Sequence, residues 1–100
     1  NNDGGGIFQF LPQADSVPEF ERLFGTPHGL SFEHAAALFD VPYAKPLDTE
    51  SFRVAVRDSI ATPGPSIVEA QTDRLSNRIE HDELWDRVAG AVRTALDRFT

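Results

Sequence analysis

The sequence contains no cysteine and no methionine in 100 residues. Without cysteine, disulfides and thiolate zinc sites are excluded, and the redox compartment cannot be inferred from thiol usage. The missing methionine, with an opening Asn in a turn-forming run, leads to the expectation of a trailing piece of a longer polypeptide. On that reading residues 1–100 are the C-terminal portion of one domain, and its N-terminal part and any other domains lie outside them. Basic residues are also scarce, nine against sixteen acidic, for a net charge of −7. A surface of that sign repels phosphate backbones, so nucleic acid is not an expected partner. No stretch approaches the roughly 18 apolar residues of a membrane span, and no basic stretch leads into an apolar one as in a signal peptide. Internal repeats are absent, and the one low-complexity feature is the triplet Gly4-Gly5-Gly6.

What is present suffices for a globular core, since 40% of the residues are hydrophobic and eight are Phe. Ile7-Phe8-Gln9-Phe10-Leu11, stopped by Pro12, reads as one or two helical turns or a short strand, and periodicity does not choose between them. Ser16-Val17-Pro18 reads as a helix start, Phe20, Leu23 and Phe24 as its apolar face, and Gly25 as its stop. Thr26-Pro27-His28-Gly29 is a turn, after which Ser31 caps a helix with Phe32, Ala35, Ala36 and Phe39 on one stripe. Val41 to Ala44 is extended, and Asp48 or Thr49 starts a third helix bearing Phe52, Ala55, Val56 and Ser59. Thr62-Pro63-Gly64-Pro65 breaks it, and residues 66–72 form the best strand candidate. A long helix is expected from Ile79 to Phe99, with Trp85, Val88, Val92, Leu96 and Phe99 as a core or interface stripe. Strand, helix, strand, helix is the order of parallel pairing through a crossover, so the fold class is α/β. Two strands make a poor sheet, and these are expected to be edge members of a larger one.

Asn1-Asn2-Asp3-Gly4 carries the chemistry. Mg²⁺ takes about six oxygen ligands in an octahedron, and an Asn carboxamide oxygen with a backbone carbonyl two residues on can fill adjacent corners. Glycine lets the backbone approach metal and phosphates, and the glycines after it are expected to leave N–H groups free toward a diphosphate. The same residues also make an ordinary turn. Ile7, Phe8 and Leu11 could likewise be plain packing. His28, His34 and His81 match no zinc signature and read as turn or surface residues, with His28 set apart by its specific turn. Asp73, Arg74, Asn77 and Arg78 form either a helix-entry network or an anion or subunit contact.

Residues 1–12, Asn-Asn-Asp-Gly-Gly-Gly-Ile-Phe-Gln-Phe-Leu-Pro, resemble the end of the thiamine-diphosphate motif in the form carried by the SEPHCHC synthase (MenD) family. The likeness continues through residues 20–29 and 32–36, and near the end through Thr72-Asp73-Arg74, Asn77-Arg78 and Leu84-Trp85. It implies the C-terminal part of a thiamine-diphosphate-binding domain, with parallel strands and flanking helices. The implied parent is a cytoplasmic transferase of menaquinone biosynthesis that decarboxylates 2-oxoglutarate and adds the succinyl unit to isochorismate. Its implied cofactors are thiamine diphosphate and Mg²⁺ or Mn²⁺, and its implied assembly is a homodimer or homotetramer. By matching position, Asn2 and Gly4 are the implied metal ligands. Asn2, Gly4, Gly5 and Ile7 lie at the cofactor, and Ile7, Phe8 and Leu11 at the substrate. An upstream Asp that completes the metal site, the Glu that activates the cofactor and the substrate-binding arginines are expected outside this chain. No catalytic residue is therefore expected within it, and the chain alone is expected to be inactive. The rival readings are another thiamine-diphosphate decarboxylase or acetohydroxyacid synthase, and a non-catalytic helical interaction domain.

Overall fold

The structure, a computed structural model, describes residues 1–99. A 3₁₀ turn, Gly6–Phe10, follows the glycine loop and leads into a one-turn helix α1, Gln13–Ser16. A π-helical turn, Glu21–Gly25, and helix α2, Phe32–Leu38, come next. Strand β1, Tyr43–Ala44, crosses through helix α3, Thr49–Ala61, to strand β2, Ile67–Val68, and the long helix α4, Arg74–Asp97, ends the chain. The strands pair in parallel, Tyr43 beside Ile67 and Ala44 beside Val68. The expected β–α–β crossover is there, on two-residue strands, and the described residues are mostly helical around this small sheet.

Local chemistry accounts for the helix starts. Asp48 accepts from the Ser51 N–H at 2.8 Å while Ser51 Oγ receives the Asp48 N–H, a reciprocal capping box that fixes the start of α3. Asp73 caps α4 in one direction, its side chain accepting from Ser76 N–H at 2.7 Å. That moves the start of α4 five residues ahead of the expected Ile79 and settles Asp73 as a helix-entry residue. Arg74 and Arg78 then reach back to Glu21 (2.6 Å) and Asp15 (2.8 Å), so their partners are carboxylates of this chain. Ser31 holds the N-cap position of α2 as expected, but its side chain makes no cap bond.

Between residues 13 and 26 the sequence reading needs correction. The helix expected from Ser16 to Gly25 is instead a turn of α-helix, a break at Val17, and a π turn. Pro18 supplies no N–H, and the i→i+5 bond from Thr26 N–H to Glu21 O closes a wider ring than an α-helix would. The left-handed residue at its end is Thr26, at φ 42°, and not Gly25.

Burial is sparse. Phe20 and Ala36 are the buried apolar residues, and Phe20 stacks on Phe24 at 5.7 Å between ring centroids. The radius of gyration is 18.9 Å, against about 13 Å for a compact chain of this length. The stripe of Trp85, Val88, Val92, Leu96 and Phe99 faces solvent, Trp85 at 68% exposure, so it is not core among the described residues. Phe39, expected on the buried stripe of α2, is likewise exposed while Ala36 beside it is covered.

Candidate functional site

The glycine loop is tied down at three places. At the sheet, Asn1 bridges to the segment after β2: its backbone nitrogen donates to Ala70 O (2.7 Å), its carbonyl accepts from Thr72 N–H (2.9 Å), and its Nδ2 donates to Glu69 Oε1 (2.8 Å). At the π turn, Gly5 N–H donates to Gly25 O at 2.8 Å. At the following turn, Asp3 Oδ1 accepts from the N–H groups of His28 (3.1 Å) and Gly29 (2.8 Å). The Gly29 N–H, with smaller help from His28, holds the Asp3 carboxyl below its ordinary pKa. His28 Nδ1 accepts from Leu30 N–H at 3.0 Å. The same Nδ1 lies 3.4 Å from Asp3 Oδ1.

The close approach explains the glycines. Gly4 lies at φ 137°, and a Cβ there would stand 2.1 Å from Gly25 O. A Cβ on Gly5 would stand 2.6 Å from Phe24 O, and one on Gly6 would stand 2.2 Å from Asn2 Nδ2. Gly25 is equally closed, with Arg74 Nη1 2.3 Å from its would-be Cβ. Arg74 thus wedges between α4 and the π turn, its Nη2 on Glu21 and its Nη1 buried without a hydrogen bond.

The two asparagines have different fates. Asn1 is fully engaged, since its Oδ1 also accepts from Asp3 N–H at 3.0 Å. The Asn2 carboxamide makes no hydrogen bond to any described residue, and Asn2 lines an open hollow of about 600 Å³ with His28, Phe32, Phe52 and Glu69. An unengaged carboxamide oxygen beside a glycine carbonyl is the donor chemistry that a hard cation takes. Gly4 O accepts from Gly6 N–H at 3.0 Å, which leaves its second lone pair. Two oxygens are a fraction of an octahedron. No group of three or more His, Cys, Asp or Glu able to hold a metal occurs among the described residues. The N–H groups expected to stay free for a diphosphate are not: Gly5 donates to Gly25 and Gly6 to Gly4. What Gly5 contributes is closeness of approach.

Ile7, Phe8 and Leu11 sit on and just after the 3₁₀ turn, and none of them lines the hollow that Asn2 lines. Ile7 is 74% exposed, Leu11 is exposed, and Phe8 turns its edge onto Phe24 at 5.8 Å. Phe8 is thus neither a fully buried core residue nor the wall of a closed pocket in this chain.

Glu69 escaped the sequence reading, which placed it inside a strand candidate without a role. It is 6% exposed and stands at the carboxyl end of β2, receiving Asn1 Nδ2 and the Tyr43 hydroxyl, with Lys45 Nζ at 4.0 Å. The Tyr43 hydroxyl, followed by Asn1, holds its carboxyl below the ordinary value, and the Glu69 carboxylate pushes the Tyr43 hydroxyl up to about 12. A Glu in a β-branched, apolar run, at the centre of the expected strand, was the available signal.

No family model matches the sequence. Curated relatives do. The chain is 51% identical over 93 residues to the 2-succinyl-5-enolpyruvyl-6-hydroxy-3-cyclohexene-1-carboxylate synthase of Bacillus velezensis, and 44% identical over 93 to that of Bacillus pumilus. It is 48% identical over 92 residues to the enzyme of that name from Salinibacter ruber. The matches cover 92–93% of this chain and 15–16% of those proteins, so it spans a small part of the relatives' length. The likeness to SEPHCHC synthases read along nearly the whole sequence is thus matched by relatives over 92–93% of it.

Proposed function

We propose that this chain, matched along 93% of its length by SEPHCHC synthases, supplies part of the thiamine-diphosphate-binding domain of such an enzyme. That match carries the reading. The geometry supports it at one point: of two adjacent asparagines, Asn2 alone has an unengaged carboxamide. The whole enzyme then decarboxylates 2-oxoglutarate and joins the succinyl unit to isochorismate, in the cytoplasm, as a step of menaquinone biosynthesis. Bound thiamine diphosphate supplies an electron sink for the carbon that loses carbon dioxide.

Within that enzyme the residues of this chain bind and position. Asn2 Oδ1 and Gly4 O would hold Mg²⁺ or Mn²⁺, and the metal in turn the diphosphate. Gly4, Gly5 and Gly6 keep that stretch of backbone open to close approach, since each closes on a neighbour once a Cβ is added. Ile7, Phe8 and Leu11 present apolar surface beside it, which excludes water from a reacting carbon once the rest of the enzyme covers it. The remaining metal ligands, the acid–base groups, the substrate carboxylate sites and the dimer or tetramer contacts belong to the rest of the polypeptide. Other thiamine-diphosphate decarboxylases share the adjacent-asparagine loop, but the relatives compared all bear the SEPHCHC synthase name.

The test is a titration of Mg²⁺ and thiamine diphosphate into the full-length protein and its Asn2→Ala variant. Loss of one oxygen ligand weakens retention tenfold or more, about 1.4 kcal/mol. Unchanged affinity in the variant would return Asn2 to the role of a turn residue.

A further inference from the structure

We propose that Glu69 is a positioning residue for the metal loop, acting through Asn1 to fix the orientation in which Asn2 faces the cation. The inference rests on Asn2 being the ligand, as argued above. Two identical side chains stand next to each other, and either could offer a carboxamide oxygen. What divides them is the Glu69 carboxylate, which draws Asn1 Nδ2 toward the end of β2 at 2.8 Å. With Nδ2 held there, Asn1 Oδ1 points back to accept Asp3 N–H at 3.0 Å, and both ends of the Asn1 amide are taken. Asp3 is thereby kept in its left-handed conformation, φ 54°, between Asn2 and Gly4. Both proposed metal oxygens flank that residue. Rotation at Asp3 would carry them apart.

Glu69 is itself held from the other side. Its backbone N–H donates to Ala44 O at 2.8 Å, and the Tyr43 hydroxyl donates to its Oε2. The parallel pairing of β1 with β2 therefore delivers a buried acceptor to one spot beside the loop. A buried carboxylate left without donors is strongly disfavoured, so the contact defines the amide orientation of Asn1 as well as its position.

Full-length protein, its variants and Mg²⁺ alone as the probe provide the test, with calorimetric titration and thermal unfolding of the metal-free protein as readouts. Glu69→Ala weakens Mg²⁺ binding tenfold or more, in the range found for residues that orient metal ligands. Glu69→Gln stays within about threefold of the parent, because its Oε1 still accepts from Asn1 while the Tyr43 hydroxyl turns to accept from its Nε2. In an Asn1→Ala background, Glu69→Ala adds less than about twofold, since the path through Asn1 is already cut. Should Glu69→Ala not fold, the exchange of donor and acceptor decides. Asn1→Asp sets two carboxylates together and weakens Mg²⁺ binding, and Asn1→Asp with Glu69→Gln restores it. An equal loss with and without Asn1, or a double variant no better than Asn1→Asp, overturns the positioning role. If Asn2→Ala weakens binding and Glu69→Ala does not, the positioning role alone falls. If Asn2→Ala has no effect, the metal reading falls with it.

Discussion

Gly4→Ala is the sharpest perturbation available to the loop. Two contributions set its size. Gly4 sits at φ 137°, outside the range L side chains adopt without strain, at about 1–3 kcal/mol. The new Cβ would also stand 2.1 Å from Gly25 O and 3.2 Å from Thr26 O. Reaching ordinary contact, at about 3.4 Å or more, requires the two backbones to part by well over 1 Å. That separation breaks the 2.8 Å bond from Gly5 N–H to Gly25 O, and an unpaired buried carbonyl costs about 1–3 kcal/mol. The loop is therefore expected to lose about 2–6 kcal/mol of local stability. Amide hydrogen exchange in the full-length protein reads this directly, because Gly5 lies within a peptide spanning residues 1–12. Protection there should fall by about thirtyfold or more, as 1.4 kcal/mol is a factor of ten. Unchanged protection in Gly4→Ala would mean that the loop does not pack against the π turn as described.

Gly90→Ala is the opposite case: Gly90 lies inside α4 with nothing within 4 Å of its would-be Cβ, so the change should stabilise by up to about 1 kcal/mol in thermal unfolding. Phe8→Ala should lower stability by about 1–2 kcal/mol, below the ~3–5 of a core Phe, since Phe8 is 37% exposed and rests its edge on Phe24. On the function proposed above, the same variant of the full-length protein should still release carbon dioxide from 2-oxoglutarate while yielding less SEPHCHC per carbon dioxide, and parallel loss of both would return Phe8 to packing alone. The Asp73 carboxyl is held below its ordinary value, chiefly by the Ser76 N–H. Its stabilising effect is present above the unfolded carboxylate value of about 3.9 and fades as pH falls through the lower folded value. Asp73→Asn keeps an acceptor without a charge, so its melting temperature should fall less than the parent's between pH 5 and about pH 3.

How much of this was legible in the sequence depends on the range of the interaction. The α3 start at Asp48, the Thr62-Pro63-Gly64-Pro65 break and the extended segment at Tyr43 are settled within a few residues and were readable, and the parallel crossover followed from the order of the elements. The start of α4 at Arg74 was misjudged because the apolar stripe begins later than the cap. Asp73, the true boundary, was already readable as a helix-entry residue, although the helix itself was begun at Ile79. The π turn was not readable, since no local motif marks the Thr26 N–H to Glu21 O bond that closes it, and its Gly25 packs against Arg74, 49 positions away. The same holds at the glycine loop. Glycine at positions 4 to 6 announced close approach, but what approaches is Gly25, Phe24 and the Asn2 amide. The N–H groups were therefore engaged and not free. Asn1 and Asn2 are identical as letters, and resemblance alone separated them in the sequence. In the structure Glu69 separates them, from 68 positions away.

These contacts also explain how a loop with so little core beneath it holds its shape. Few of the large apolar side chains are buried, and Ile7 and Leu11 beside the loop are exposed. Hydrophobic burial is non-directional and could not fix the orientation of one carboxamide against its neighbour. Hydrogen bonds can. The loop is held to Glu69, Ala70 and Thr72 on one side, to Gly25 on another, and to His28 and Gly29 on a third. Each tether comes from a different element, and each uses a backbone group or a short side chain with a fixed direction. An individual bond of this kind contributes only about 0.5–1.5 kcal/mol net, so no single tether suffices. Jointly they restrict the backbone of residues 1–5 to one conformation, in which the Asn2 amide is left unengaged. Covering the apolar surface around it would stabilise the domain, but which of the two asparagine amides is left unengaged is already set by the polar tethers.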